Sequence, residues 1–450
     1  MSETDILIIG GGIAGLTAAW TCRQAGRDVR LLEAKESAGG VIRSVRDGPY
    51  LKETGPNAFL GDAEELLALA RAVGIEEEIV EPPKTAAARF IYWRGELHLV
   101  PRGPREFAAS KLLSWRGKCR LLGEWFVRSG SVPDETVAAF VRRRLGTEAL
   151  ERLVDPLVAG IFAGDPERLS LAAAFPKMAA LESRYGGLIR GAFKMRRGWQ
   201  ARGVHGFRNG METLPSAIAQ KLGDALVTKT AVTAISRLSD GSFQVTVGRG
   251  DTVDQWRARV LILATPAYVT AGLLAGVAAQ AVAPLRAIPY APIVVAHVAI
   301  PLRDCQADFQ GFGFLVPRRS AVRCLGVLWT SSCFPGRAPA GHLFATCFYG
   351  GERDREATLL GESALREVLA YDLRQTMGIK TAPEYLSITR HKAGIPQYTI
   401  GHQERIAQIA SAVGEVPGLY LTGNYLTGTS VADTIAHATR AAHFLLGTTR

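Results

Sequence analysis

The chain is poor in cysteine, with six in 450 residues: Cys22, Cys119, Cys305, Cys324, Cys333 and Cys347. None falls on a C-x-x-C or other metal-ligand spacing, so neither a disulfide scaffold nor a structural metal is expected, and the thiols read as free in a reducing compartment. Long apolar runs are missing too. No stretch reaches the roughly 18 to 20 residues that span a bilayer, so any membrane contact is expected to be peripheral. The first strand pattern begins at residue 5, which leaves no room for a signal or transit peptide, and a cytoplasmic protein is expected. Acidic residues are in deficit, 42 against 53 Lys and Arg, for a net charge of +11. Such a balance points to acidic partners: anionic lipid, a polycarboxylate or nucleic acid. The arginines are scattered and no nucleic-acid module is visible, so nucleic acid is not expected.

What is present begins at once. Asp5-Ile6-Leu7-Ile8-Ile9 is a short run rich in β-branched residues, the pattern of a buried parallel strand. It runs into Gly10-Gly11-Gly12-Ile13-Ala14-Gly15 and then a helical stretch. Gly10, Gly12 and Gly15 have the G-x-G-x-x-G spacing, which provides a tight turn, a close approach for a pyrophosphate and close helix–strand packing. The phosphates would sit at a helix N-terminus, where free N–H groups and the dipole favour anions. A second strand, residues 28–32, ends on Glu33 and Ala34, and an acid there accepts from the hydroxyls of an adenosine ribose. A free 2′-hydroxyl is implied, hence FAD or NAD rather than NADP.

Gly39-Gly40-Val41-Ile42-Arg43 follows, and Arg43 is placed to meet a pyrophosphate oxygen. Glu53-Thr54-Gly55-Pro56-Asn57-Ala58 repeats the glycine-and-proline theme. Residues 62–76 read as a helix, and 89–93 with 96–100 as a hairpin about Arg94-Gly95. Helical patterns then fill 105–113, 117–128, 134–145 and 147–157. Lys111, Arg116, Lys118, Arg120 and Arg128 alternate there with Leu112, Leu113, Trp115, Leu121, Leu122, Trp125 and Phe126. Two readings stay open: an interfacial membrane surface, or amphipathic helices with a solvated basic face. Lys194 to Trp199 forms a second basic-aromatic cluster. A helix is expected to about 222, strands at 227–232, 243–247 and 259–264, then a mixed sheet from 293–300, 311–317, 325–329 and 343–349 covered by a helix at 356–376. Residues 394–398 read as a loop. Leu419 to Asn424 ends a strand on a glycine turn, and Thr429-Ser430-Val431 opens a helix over 434–446. With no second complete glycine fingerprint, that second helix start favours one bound FAD over FAD plus NAD.

The combination G-x-G-x-x-G, a terminal Glu, L-x6-G-G and E-x-G-P resembles the flavin-dependent amine oxidase superfamily. The blocks 39–44, Arg89-Phe90-Ile91-Tyr92, 160–165, 311–317 and 394–402 narrow the resemblance to its protoporphyrinogen oxidase family. This resemblance implies a fold of class α/β with α+β parts. Its parts would be a Rossmann-like FAD-binding domain (1–85, 203–270 and 412–450), a mixed-sheet substrate domain (86–104 and 271–411) and a helical membrane-binding domain (105–202). It favours the interfacial reading of the basic-aromatic helices, on the inner face of the cell membrane. It also implies a homodimer, porphyrinogen and O2 as reactants, and hand-off of the product to a chelatase. Non-covalent FAD is carried over to Gly10, Gly11, Gly12, Ile13, Ala14, Gly15, Glu33, Ala34, Gly40, Val41, Arg43, Gly55, Pro56, Asn57, Ala58, Val232, Asn424, Thr429, Ser430 and Val431. Arg89 matches the arginine that grips a substrate carboxylate. Phe312 and Leu315 match the apolar residues that sandwich the rings, and Phe348 and Gly164 adjoin them. Family members often end G-x-x-x-x-G-V-x-x-N-D, and this chain lacks that Asn before Asp433.

The implied reaction removes six electrons from a porphyrinogen. No acid or base is assigned, and His98, His391 and His402 are candidates by residue type only, structural roles being the simpler reading. The alternatives are a coproporphyrinogen III oxidase of the same fold, an amine oxidase, and a flavoprotein that binds porphyrin without turnover.

Overall fold

The computed structural model describes residues 2–130, 132–194, 203–249, 252–305 and 307–447. Of the basic-aromatic stretch 194–199, residues 195–199 lie outside them. The N-terminal strand β1 (Ser2–Ile9) passes through the glycine turn into helix α1 (Ile13–Gln24) and returns as β2 (Val29–Leu32). A seven-stranded sheet forms around this unit. Its order is Leu226–Val227, β2, β1, Thr252–Leu263, Phe243–Arg249 and Ala231–Arg237, with Leu419–Leu421 parallel to the end of Thr252–Leu263. The sheet therefore draws strands from three distant parts of the chain.

Helices lie on both faces of the sheet, which is why residues 6–9 of β1 are apolar without alternation. Ile6 and Ile8 enter one core with Leu16, Phe207, Leu214 and Ile435. Leu7 and Ile9 enter a second with Leu261, Leu274, Leu285 and Ile409. Helix Val431–Leu445 supplies Val431, Ile435 and Ala442 to the core on the side of α1 at i, i+4 and i+11.

A second seven-stranded sheet has the order Tyr385–Pro396, Tyr290–Pro301, His342–Gly350, Gly326–Leu328, Gly313–Leu315, Arg89–Trp93 and Glu96–Leu99. Every pairing is antiparallel except that of Arg89–Trp93 with Gly313–Leu315. Helix Glu362–Met377 covers one face, packing Leu365, Leu369, Leu373 and Met377 on Val294, Ala296, Val298 and Ile300. The four-residue spacing on the helix meets the two-residue spacing on the strand.

Between residues 104 and 194 the described elements are helical. They are joined by a buried ion network in which Arg144 and Glu124 are both fully enclosed, with Glu182 beside them. Glu124 also accepts from the N–H groups of Leu188 and Ile189, at 2.8 and 3.0 Å, where helix Leu188–Lys194 begins. No helix among the described residues is long and apolar enough to cross a membrane.

Three local expectations are corrected. The strand over 227–232 is two strands, Leu226–Val227 and Ala231–Arg237, because Lys229 takes φ 53° and turns the chain between them. The loop over 394–398 starts as the end of strand Tyr385–Pro396, with Ala291 paired to Ile395 and Tyr290 to Pro396. The helix over 147–157 runs on to Phe162, with a wide π-type turn at Leu150–Val154.

Candidate active site

The glycine turn is built by contact. A Cβ on Gly15 would lie 1.9 Å from the Gly10 carbonyl oxygen, so only glycine lets α1 sit this close to the strand end. Gly12 differs: a Cβ there meets nothing within 4 Å, and its φ of −70° suits any residue. Its hydrogen thus faces open space at the N-terminus of α1, the shape a pyrophosphate needs. Glu33 is buried at the end of β2. Its carboxylate accepts from the N–H of Gly11 at 2.7 Å and of Lys35 at 2.8 Å, which fixes it beside the loop. Ala34 is exposed next to it, and the Thr230 N–H donates to the Glu33 carbonyl at 2.9 Å, which brings Val232 to the same edge.

The 39–43 loop folds onto this turn. The Gly39 N–H donates to the Gly11 carbonyl at 2.7 Å, and a Cβ on Gly40 would sit 3.1 Å from the Gly12 Cα. The Arg43 guanidinium is held by the Glu212 carboxylate at 2.6 Å and by the Ser37 carbonyl at 2.7 Å, so it braces the loop through protein groups. Residues 55–58 lie alongside. A Cβ on Gly55 would stand 2.0 Å from the Val41 carbonyl oxygen, and the Asn57 Oδ1 is buried with no hydrogen-bond partner among the described residues. An orphaned acceptor there fits a donor from a bound group. Further along, the Gly423 turn and Asn424 approach the chain that follows strand Tyr385–Pro396, where the Tyr398 hydroxyl donates to the Asn424 carbonyl. Ser430 caps the last helix by accepting from the Asp433 N–H at 3.0 Å, with Thr429 just before it. The helix opens at Val431, three residues earlier than the spacing predicts.

On the second sheet, Arg89, Gly313 and Leu328 fall in one register row, and Leu315, Gly326 and Phe348 in another. Ala58 packs in one cluster with Phe312, Phe348, Leu328, Cys333 and Phe334. Phe348 also joins a neighbouring cluster with Ala159, Ala163, Leu325, Ile293 and Ile395. Leu315 presses on Gly160, where a Cβ would meet its Cδ2 at 2.6 Å. The Arg89 side chain is exposed, with its guanidinium 5.3 Å from the centre of the Phe312 ring, and it has no carboxylate partner among the described residues. Gly164, by contrast, is buried against Gln397 and Leu169, where it packs the end of helix Asp155–Phe162. The structure thus joins Ala58 of the glycine-rich half to Phe312 and Phe348 of the other half.

The histidines singled out by type have structural partners. His98 bonds through Nε2 to the Trp93 carbonyl at 3.0 Å, inside its own hairpin. His391 donates through Nε2 to the Thr54 carbonyl at 2.6 Å. His402 is buried and stacks on Tyr398, with ring centres 4.3 Å apart, and burial pushes its pKa down to about 4. Sequence reasoning assigned no role to three groups: His297, Arg337 and Glu53, the last named only as the head of the E-x-G-P block. Glu53 is 1% exposed. It accepts from Arg337 Nη1 at 2.7 Å, the Met211 N–H at 2.9 Å and the Ser44 hydroxyl at 2.6 Å. Burial raises its carboxyl above the usual range, against the opposing pull of Arg337. A histidine amid the apolar run 293–300 was the available signal for His297, since a buried imidazole needs a partner.

A separate cleft at the other end of the sheet, beside Glu3, Asp5 and Asp28, has several of its charges paired: Arg257 with Asp240 and Glu3, and Arg259 with Asp5. Ligands of open parallel sheets bind at the carboxyl ends of the strands, where the glycine turn lies.

Comparison with known proteins agrees with this geometry. The family profile described as flavin containing amine oxidoreductase matches residues 13–446. The chloroplastic protoporphyrinogen oxidase of Nicotiana tabacum is 31% identical, over 99% of this chain and 86% of that protein. The coproporphyrinogen III oxidase of Bacillus subtilis (strain 168) is 28% identical over 96% of each. A crystal structure from Exiguobacterium sp. 255-15, described provisionally as a protoporphyrinogen oxidase, superposes with a TM-score of 0.85 at 26% identity, covering 99% of both chains. A flavin cofactor follows from the family, and the open space at Gly12, the buried Glu33 and the orphaned Asn57 acceptor fit one. The chain belongs to the flavin containing amine oxidoreductase family, among its protoporphyrinogen oxidases.

Proposed function

We propose that the protein oxidises protoporphyrinogen IX to protoporphyrin IX, with three O2 reduced to H2O2 and non-covalent FAD as its cofactor. The observation that carries this reading is Arg89, an arginine without an ion pair among the described residues, lying over Phe312 at the edge of an apolar wall. A guanidinium stays charged in a partly dry site and takes a carboxylate bidentately. Phe312, Leu315 and Phe348 would bound the macrocycle, whose propionates reach Arg89. Bound flavin supplies a two-electron acceptor that O2 re-oxidises, so three cycles account for six electrons. The chain's own contribution is orientation and the exclusion of water, and no side chain is assigned as acid or base.

Coproporphyrinogen III is the second candidate substrate, supported by the relative from Bacillus subtilis. It carries four carboxylates. Arginines downstream of the wall are already neutralised: Arg318 by Asp165 at 2.8 Å, Arg319 by Glu151 at 3.0 Å and Arg323 by Asp354 at 2.7 Å. That charge pairing favours the dicarboxylate. Mixing the holoenzyme anaerobically with each porphyrinogen, while following the visible flavin band, tests both. Bleaching at least tenfold faster with protoporphyrinogen is expected, a preference of about 1.4 kcal/mol. The reverse order selects coproporphyrinogen, and bleaching by neither defeats the enzymatic reading.

We further propose that the protein works as a homodimer on the anionic inner face of the cell membrane and passes its product to a chelatase. Supporting the membrane reading, Trp115, Phe126 and Phe193 are 77%, 82% and 63% exposed. Phe126, Arg128 and Arg190 line a cleft of about 370 Å³ between the turn Gly123–Phe126 and Gly186. Aromatic tips beside basic groups suit a headgroup layer. Co-sedimentation with vesicles containing anionic lipid is expected, and its absence refutes the membrane reading.

A further inference from the structure

The strand Tyr50–Glu53 and the residue after it are gripped one residue at a time by a single strand pair of the second sheet. Lys52 Nζ donates to the Ser387 hydroxyl at 2.7 Å and the Tyr385 hydroxyl at 3.0 Å. His297 Nε2 donates to the Glu53 carbonyl at 3.0 Å, and His391 Nε2 to the Thr54 carbonyl at 2.6 Å. Register explains the convergence. His297 pairs with Ser387 and Ile293 with His391, so these four side chains share one face. Their even-numbered neighbours Val294, Ala296 and Val298 point the other way, into the core under helix Glu362–Met377. A carbonyl can only accept, so each Nε2 carries a proton. His297 is wholly buried and stacked near Phe344, and desolvation pushes its pKa down to about 4, which keeps it a neutral donor.

The next residues are Gly55-Pro56-Asn57-Ala58, which touch the Val41 carbonyl on one side and the Phe312–Phe348 cluster on the other. We infer that His297 and His391 are positioning residues, holding two successive carbonyls so that this loop meets the flavin at a place dictated by the substrate sheet. The inference rests on the flavin-site reading above. Through this clamp the wall that bounds the substrate also sets the loop that bounds the cofactor, although the histidines touch neither.

The test compares His391→Ala with His391→Gln, which keeps a donor, and adds His297→Gln for the buried position. FAD dissociation constants from quenching of flavin fluorescence, the fine structure of the bound flavin's visible band, and apoprotein melting temperatures are read together. Loss of one hydrogen bond is worth roughly 1 kcal/mol, or about five- to tenfold in affinity. His391→Ala should weaken FAD binding by that factor and alter the band, while His391→Gln restores both with a similar apoprotein melting temperature. His297→Gln should retain most of the wild-type affinity. Wild-type affinity and spectrum in His391→Ala, or no recovery in His391→Gln, overturn the inference alone. Wild-type protein that takes up no FAD overturns the flavin-site reading with it.

Discussion

Gly12 and Gly15 are both fingerprint glycines, yet the structure gives them opposite costs. Gly12 has φ −70° and ψ 177°, which alanine adopts freely, and the methyl of Gly12→Ala projects into empty space. Two small folding effects oppose each other. Removing glycine restricts the unfolded chain, worth about 0.4 to 1 kcal/mol, while alanine is a poorer helix cap than glycine, by a similar amount. The apoprotein should therefore melt within about 2 °C of wild type. The cofactor should not be so tolerant. A methyl at Gly12 holds a phosphate away from the first N–H groups of α1, and charge-assisted bonds of this kind carry about 1.5 to 3 kcal/mol each. Loss of one or two gives roughly a 100-fold weaker complex, near 2.7 kcal/mol. Gly15→Ala drives its Cβ to 1.9 Å from a backbone oxygen, so it should lower the melting temperature itself. Fluorescence titration of apoprotein with FAD and differential scanning calorimetry separate the two effects. Wild-type FAD affinity in Gly12→Ala would refute the placement of the pyrophosphate.

Arg89→Ala should raise KM for the porphyrinogen about 10- to 100-fold with FAD content unchanged, because the guanidinium has no ion pair to lose among the described residues; loss of FAD would show that Arg89 serves the cofactor. Burial pushes His297, His402 and His437 down to about 4. Between pH 6.5 and 4 the unfolded chain therefore binds protons that the folded one refuses, and stability present at pH 7 falls as the pH drops, by about 1.4 kcal/mol per pH unit for each histidine. Asp372, pushed up to about 6 by burial, opposes one of the three between pH 6 and 4. Urea midpoints at pH 7, 6 and 5 should decline, and a constant midpoint would contradict this balance. Arg144→Met strands the enclosed Glu124 carboxylate and should cost about 3 to 5 kcal/mol, whereas pairing it with Glu124→Gln, which removes the charge and keeps an acceptor for the Leu188 and Ile189 N–H groups, should recover part of that loss. Limited proteolysis between residues 104 and 194 reads the effect locally, and equal protection in wild type and Arg144→Met would exclude it.

The glycine turn, β1, α1, β2 and Glu33 were legible because each rests on contacts within about thirty residues, where spacing and residue type suffice. The strands around 293–300 and 343–349 were legible as apolar runs. Their order was not, since hydrogen bonding between residues 290–301 and 385–396 leaves no local mark. Strand Tyr385–Pro396 illustrates the loss. It is half-exposed, carries Arg390, His391 and Lys392, and ends in Gly394 and Pro396, so it reads as irregular chain until the clamp on residues 52–54 is seen. The same blindness hid the long links made to Glu53: His297 reaches it across 244 residues, Arg337 across 284 and the Met211 N–H across 158. Arg43 shows the converse: its position near the loop was legible, but its bond to Glu212 requires the fold.

The sheet that carries the glycine turn takes its last strand from Leu419–Leu421, and α1 is flanked by helix Val431–Leu445. During synthesis the turn leaves the ribosome some four hundred residues before the surface that seats its helix. The early β–α–β unit must then wait with one apolar flank bare, a state open to chaperones and to aggregation. Cofactor capture thereby waits on residues 419–445, and a chain halted before residue 431 should emerge without colour.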